Sequence, residues 1–276
     1  MKTIVHLSDL HFGALEERLL TPLRHAITAA APDLVAVSGD LTQRARRRQF
    51  EAARAFLAGL RRPLLVVPGN HDIPLYDLAL RFVAPLERYR QYVSRDLAPI
   101  YTDDEMIVVG LNSVRTLSFK HGDGRLNQRQ VAEATDRFAR ASPSLIKIVV
   151  THHPFDLPAG YGEHRLIGRA RLAMPELAAA GTDLFLAGHL HLSHVGRTAE
   201  RYQIGGHSAL VVQAGTLSRR GRGEPNSFNV LHVTSQKLEL ERHCWTESTG
   251  AFSRAWADTY ERTAAGWNGG RKTDVR

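Results

Sequence analysis

Pro63-Leu64-Leu65-Val66-Val67-Pro68-Gly69-Asn70-His71-Asp72 decides how this chain is read. The first half is an apolar run of the length of a buried strand. Pro68 and Gly69 then break the strand. Three side chains that can bind metal or move protons, Asn70, His71 and Asp72, therefore stand at a strand's C-terminal end. In open α/β sheets that is where ligands bind.

The same arrangement recurs outward in both directions. Residues 3–7 read as a strand ending in Ser8-Asp9-Leu10-His11, and residues 34–37 as one ending in Ser38-Gly39-Asp40. Further on, residues 107–111 end in Asn112-Ser113, residues 146–150 in Thr151-His152-His153-Pro154, and residues 184–187 in Gly188-His189-Leu190-His191. Helical periodicity fills the gaps. Residues 16–31 carry Leu19, Leu20, Leu23 and Ile27 on one face and stop at Pro32. Further helices are expected over residues 47–60, 80–92, 127–141 and 171–180. Beyond Ser193 the pattern turns to short β-rich segments near residues 209–213, 227–234 and 237–243. Strands alternating with helices, then strands alone, predict an α/β sandwich of two sheets. Residues 1–265 read as one domain. Residues 266–276 have the composition of a disordered tail.

The chain has 276 residues, 43% hydrophobic and 23% charged, which suits one large globular domain with a substantial core. Its one cysteine, Cys244, excludes an intrachain disulfide and fits a reducing compartment. No apolar stretch reaches transmembrane length. Met1 to Leu7 runs straight into a strand with no leader-like pattern, so a cytoplasmic protein is expected. The net charge of +8 suits an anionic small molecule, nucleic acid or an anionic membrane surface, without choosing among them.

The polar clusters carry the chemistry. Asp9 and His11 are two apart, as are His189 and His191. At an extended strand end that spacing points both side chains the same way, so each pair can grip one metal. The donors are oxygen and nitrogen with no thiolate, which suits Mn, Fe, Zn or similar first-row ions better than a structural Zn–thiolate site. Asp9, His11, Asp40, Asn70, His152, His189 and His191 are too many ligands for one ion and suit two ions sharing a carboxylate. Such a pair, about 3.5–4 Å apart, clamps a phosphoryl group and lowers the pKa of a water held between the ions. Singly each piece is weak: a Gly-Asp after a strand is usually a turn, and a lone buried histidine is usually core. Their joint placement at five strand ends is what carries weight.

Asp-x-His, Gly-Asp, Gly-Asn-His-Asp, the histidine of His-His-Pro and Gly-His-x-His occur here in that order, from Asp9 to His191. The set resembles the calcineurin-like metallophosphoesterases, and within them small bacterial cyclic-nucleotide phosphodiesterase-like members. That resemblance implies a four-layer α/β/β/α sandwich. It implies one metal held by Asp9, His11, Asp40 and His191, and a second held by Asp40, Asn70, His152 and His189, with Asp40 bridging. It gives His71 contact with the phosphate and the leaving group, and Asp72 the task of orienting His71. The activity implied is hydrolysis of a phosphodiester by a metal-bound hydroxide. Phosphomonoesterase, nuclease and non-catalytic scaffold are the alternatives. His153, Asn112 and Arg219 are the candidate substrate contacts. Arg219 belongs to the run Arg219-Arg220-Gly221-Arg222, which reads equally as a solvated face.

Overall fold

The computed structural model of the chain describes residues 1–115, 122–202, 207–270 and 273–274. Strand and helix first alternate: β1 (Lys2–Leu7), α1 (Leu20–Ala29), β2 (Leu34–Ser38), α2 (Arg47–Gly59) and β3 (Leu64–Val67). Two short helices follow, α3 (Leu78–Val83) and α4 (Glu87–Tyr92), then β4 (Ile100–Thr102) and β5 (Met106–Gly110). Alternation resumes with α5 (Gln128–Arg140), β6 (Ile146–Val150), α6 (Ala170–Ala179) and β7 (Leu184–Ala187). The last third holds β8 (His194–Arg197), α7 (Thr198–Arg201), β9 (Leu210–Gln213), β10 (Ser227–Val233) and β11 (Lys237–Thr246). It closes with β12 (Ala251–Thr263), β13 (Gly266–Gly269) and β14 (Thr273–Asp274).

These strands form two mixed sheets. One runs β13-β12-β11-β10-β1-β2-β3, with β14 also on β12; the other runs β4-β5-β6-β7-β9-β8. β1, β2 and β3 are mutually parallel, as are β5, β6, β7 and β9, and antiparallel strands complete both sheets.

Strand alternation sorts the core into three seams, because successive side chains take opposite faces. Ile4, Leu34, Ala36, Val108, Ile148, Leu186 and Val212 pack between the two sheets. Their neighbours Val5, Val35 and Val37 face Leu23, Ile27, Phe50 and Phe56 of α1 and α2. On the far side, Val109, Val149, Phe185 and Val211 face Val131 and Phe138 of α5 and Met174 and Leu177 of α6. Three seams between four layers make the expected α/β/β/α sandwich.

Two local expectations change. The helix expected over residues 80–92 is two helices, because Pro85 pushes the residue before it out of the helical region; Ala84 has φ −145° and ψ 61°. The tail expected from residue 266 is ordered at its start. Gly266–Gly269 pairs with β12, and Trp267 is 2% exposed in the inter-sheet core.

Candidate metal centre

The polar clusters after β1, β2, β3, β6 and β7 meet at one edge of the sandwich. The loops after β1 and β2 are zipped by their backbones: Asp9 N–H donates to Gly39 O, His11 N–H to Asp40 O and Phe12 N–H to Leu41 O, at 3.2, 2.9 and 2.8 Å. Contacts also cross between the sheets. His189 N–H donates to Asp9 Oδ2 at 2.9 Å, and His152 Nδ1–H to Ser38 O at 2.8 Å. Gly39 is required at this junction. Its φ is +89°, and a Cβ there would stand 2.7 Å from His152 Nδ1 and 2.9 Å from Gly69 Cα.

Two groups of donor atoms result. Asp9, His11, Asp40 and His191 present theirs within 4.8 Å of one another, and all four residues are buried. In the second group His152, His153 and His189 present theirs equally close, and Asn70 Oδ1 lies 3.0 Å from His152 Nε2 and 3.1 Å from His189 Nδ1. Asp40 stands in both. Its Oδ1 accepts from His71 N–H at 2.8 Å, while Oδ2 lies 3.5 Å from His11 Nε2 and 3.4 Å from His152 Nε2.

The histidine tautomers are fixed from outside. His152 Nδ1–H donates to Ser38 O, and His191 Nδ1–H donates to Arg220 O at 2.9 Å. In the neutral rings each Nε2 lone pair therefore faces inward. Fixing a ligand histidine through its second nitrogen is the usual support of a metal site. His191 Nε2 lies 3.1 Å from both Asp9 Oδ1 and His11 Nε2. Among the described residues Asp9 Oδ1 and His11 Nδ1 find no hydrogen-bond partner. With His191 neutral, its Nε2 and Asp9 Oδ1 are two acceptors 3.1 Å apart, which repel unless a cation lies between them, so the donor set fits metal ions.

Protonation tells the same story. Burial alone would lower the His152 pKa, but the Asp40 carboxylate more than reverses this and raises it to about 9. Burial likewise opposes, and His191 chiefly drives, a lowering of the Asp9 carboxyl far below its ordinary range. Burial and the neighbouring His152 push His189 down to about 3.

The remaining expected residues are placed as follows. His71 Nδ1–H donates to Gln43 O at 3.0 Å, which leaves Nε2 facing the centre; burial lowers its pKa to about 4. The Asp72 carboxylate accepts from Gly69 N–H, Leu41 N–H and Thr42 N–H at 2.9, 3.2 and 2.9 Å. It thus ties the loops after β2 and β3 together, while the Gln43 carbonyl holds the His71 ring, a task the resemblance gave to Asp72. Burial and the Asp40 charge push the Asp72 carboxyl up to about 7, against those hydrogen bonds.

His153 has both ring nitrogens engaged. Nε2–H donates to Gly122 O at 3.1 Å, and Nδ1 accepts from Ser113 Oγ at 2.8 Å. Its ring packs 4.5 Å from that of His189, so it buttresses that ligand candidate. Asn112 Oδ1 accepts from Val114 N–H at 2.9 Å, a turn-capping role. Arg219 and Arg220 are both exposed overall, and the Arg219 backbone N–H donates to Ala14 O at 3.1 Å. The guanidinium at the centre is that of Arg220, with Nη1 2.8 Å from His71 Nε2. The Arg-rich run was the only signal of it in the sequence.

The model of the calcineurin-like phosphoesterase family matches residues 2–193, the part of the chain that supplies all of these ligand candidates. The chain belongs to that family. The donor groups seen here all lie within the matched residues. Among curated relatives, the chain is 35% identical over 85 residues to the glycerophosphodiester phosphodiesterase GpdQ of Enterobacter lignolyticus, covering 25% of this chain and 29% of that one. It is 27% identical over 165 residues to a Synechococcus protein named "Probable cyclic nucleotide phosphodiesterase", covering 55% of this chain and 58% of that one. The chain thus spans less than two thirds of the length of either. Of solved structures, a dimetal phosphatase from Danio rerio superposes with a TM-score of 0.65 over 87% of this chain and 95% of that one. At 12% identity that likeness is one of fold. No helix among the described residues is long and apolar enough to cross a membrane.

Proposed function

We propose that the protein is a phosphodiesterase that works with two metal ions. Asp40 carries the reading. One buried carboxylate oxygen stands between His11 and His152, at 3.5 and 3.4 Å, and so belongs to two donor groups at once. Asp9, His11, Asp40 and His191 would hold one ion, and Asp40, Asn70, His152 and His189 the other. Oxygen and nitrogen donors favour Mn, Fe or Zn. When bound, such a pair supplies charge neutralisation and an activated water.

The chain's own groups do the rest. The Gln43 carbonyl keeps a proton on His71 Nδ1, so any second proton resides on Nε2, the atom facing the centre. An anionic phosphate beside Nε2 favours that protonated form. Nε2 is then the position from which a proton reaches the departing alkoxide. Asp72 keeps the loops carrying Asp40 and His71 in register. The names of the two relatives support a diester, and the basic balance of the chain supports an anion.

The test is hydrolysis of an aryl phosphodiester and its matching monoester by metal-stripped protein, before and after addition of Mn, Fe or Zn. Turnover should appear with metal and favour the diester. Faster monoester hydrolysis would replace this reading with a phosphatase, and preference for a polynucleotide with a nuclease.

A further inference from the structure

Arg220 stands where the loop after β9 meets the metal centre. Its backbone and side chain do different things. The carbonyl accepts from His191 Nδ1–H at 2.9 Å. The guanidinium reaches inward, with Nη1 2.8 Å from His71 Nε2 and 3.4 Å from His11 Nε2. A guanidinium has five N–H donors and a permanent charge. Neutral imidazole nitrogens accept one of those bonds and cancel none of the charge. Among the described residues Arg220 makes no direct ion pair with a carboxylate; the more distant Asp40 and Asp9 favour its charge, and Arg44 and Arg222 oppose it. With two metal ions bound, the Asp9 and Asp40 charges would be neutralised, and a guanidinium beside those ions would be unfavourable on its own. It becomes favourable once an anion lies between them.

The platform is pre-organised. Thr216 Oγ1 donates to Asp9 O at 2.9 Å, and Arg219 N–H to Ala14 O at 3.1 Å, so the loop is pinned to the segment after β1. Asn226 Nδ2 closes the loop on itself, donating to Thr216 O at 3.1 Å and Ser218 O at 2.9 Å. A fixed backbone with a long side chain aimed inward is how an arginine is arranged for bidentate capture of a phosphoryl group.

We propose that Arg220 binds the substrate's phosphoryl oxygens, shifting Nη1–H from His71 Nε2 to a non-bridging oxygen and freeing Nε2 for the leaving group. This rests on the phosphoesterase reading above, and it names a contact that the resemblance did not supply.

The experiment compares Arg220→Ala and Arg220→Lys with the wild type and with Arg48→Ala, an exposed arginine of α2 that changes net charge equally. Three quantities are read on metal-loaded protein: bound metal by elemental analysis, affinity for inorganic phosphate by calorimetry, and kcat/KM for the aryl diester. Both Arg220 variants should keep both ions, because the backbone carbonyl holds His191. Phosphate affinity should fall at least about tenfold in Arg220→Ala and less in Arg220→Lys. kcat/KM should fall about 10²-fold in Arg220→Ala, in line with loss of one charge-stabilising donor. Unchanged phosphate affinity with both ions bound overturns the proposal. So does loss of metal in both variants, which would make the residue structural. If the wild type hydrolyses no ester yet phosphate affinity still falls in Arg220→Ala, the phosphate contact stands and the esterase reading fails.

Discussion

Asp9, His11, Asp40, His189 and His191 hold φ at 52°, 46°, 52°, 74° and 59°, the left-handed region that residues with a Cβ avoid. Such a backbone costs on the order of 1–3 kcal/mol per residue and persists only where the surroundings over-determine it. Here the surroundings are the zipped loops and the cross-sheet hydrogen bonds. The turn after each strand puts its donor into the shared space instead of along the strand. Asp40 is the sharpest case, since it combines this backbone with a carboxylate that serves both groups. Asp40→Ala should lose both ions, by elemental analysis, along with activity. Asp40→Gly should lose them equally, yet unfold in urea with about 1 kcal/mol more stability than Asp40→Ala, because glycine takes a positive φ without a steric cost. Equal stability of the two would show that the turn is unstrained. Retention of both ions in either would remove Asp40 from the bridging position. None of this strain was legible in the sequence, where no glycine marks those five positions.

Elements were legible wherever apolar periodicity set them, and failed where one residue overrode it. α5 shows the first case. Val131, Ala134 and Phe138 form its buried stripe, and Asn127 Oδ1 caps it by accepting from Gln130 N–H at 2.9 Å while Gln130 Oε1 accepts from Asn127 N–H at 3.0 Å. Asn127→Ala should lower stability by about 1 kcal/mol, measured by denaturant unfolding, and leave metal content and turnover alone. A change in turnover would mean that α5 positions the centre through Gln130 Nε2, which donates to Asn112 O. The region of α3 and α4 shows the second case, where Pro85 splits an otherwise helical pattern. The strand ends were readable because a buried apolar run followed by Gly, Asn, Asp or His is a local signal. Which arginine of residues 219–222 turns inward was not, because alternation fails in a loop and the contact joins residues far apart in the chain. The same limit hid the partner of the His71 ring, Gln43, which precedes it by a whole strand and helix.

At the scale of the whole molecule, the centre and the closure of the sandwich lie at opposite ends of the same strands. β7 begins after Asp183 and leads to His189, a rise of roughly 13 Å over four residues. Around Asp183 the two sheets are sewn together by β12 and β13. Arg262 Nε and Nη2 each donate to the Asp183 carboxylate at 2.9 Å, and Trp267 Nε1–H donates to Asp183 O at 3.1 Å. The Trp267 ring completes the inter-sheet core beside Leu184, Leu210 and Leu240. Glycine and arginine composition made this stretch read as a tail, because one buried tryptophan contributes little to composition and much to packing. Trp267→Ala removes a large side chain from a filled core and leaves the Asp183 carbonyl without that donor. It should therefore cost about 3–5 kcal/mol. A residue in a disordered tail would change stability by less than about 0.5 kcal/mol. Because the loss falls at the far end of the strands, metal content and kcat below the lowered melting temperature should stay near wild-type values. Thermal unfolding followed alongside metal-dependent turnover separates the two quantities. A fall in kcat without a fall in melting temperature would show that this end of the sandwich governs the geometry of the centre.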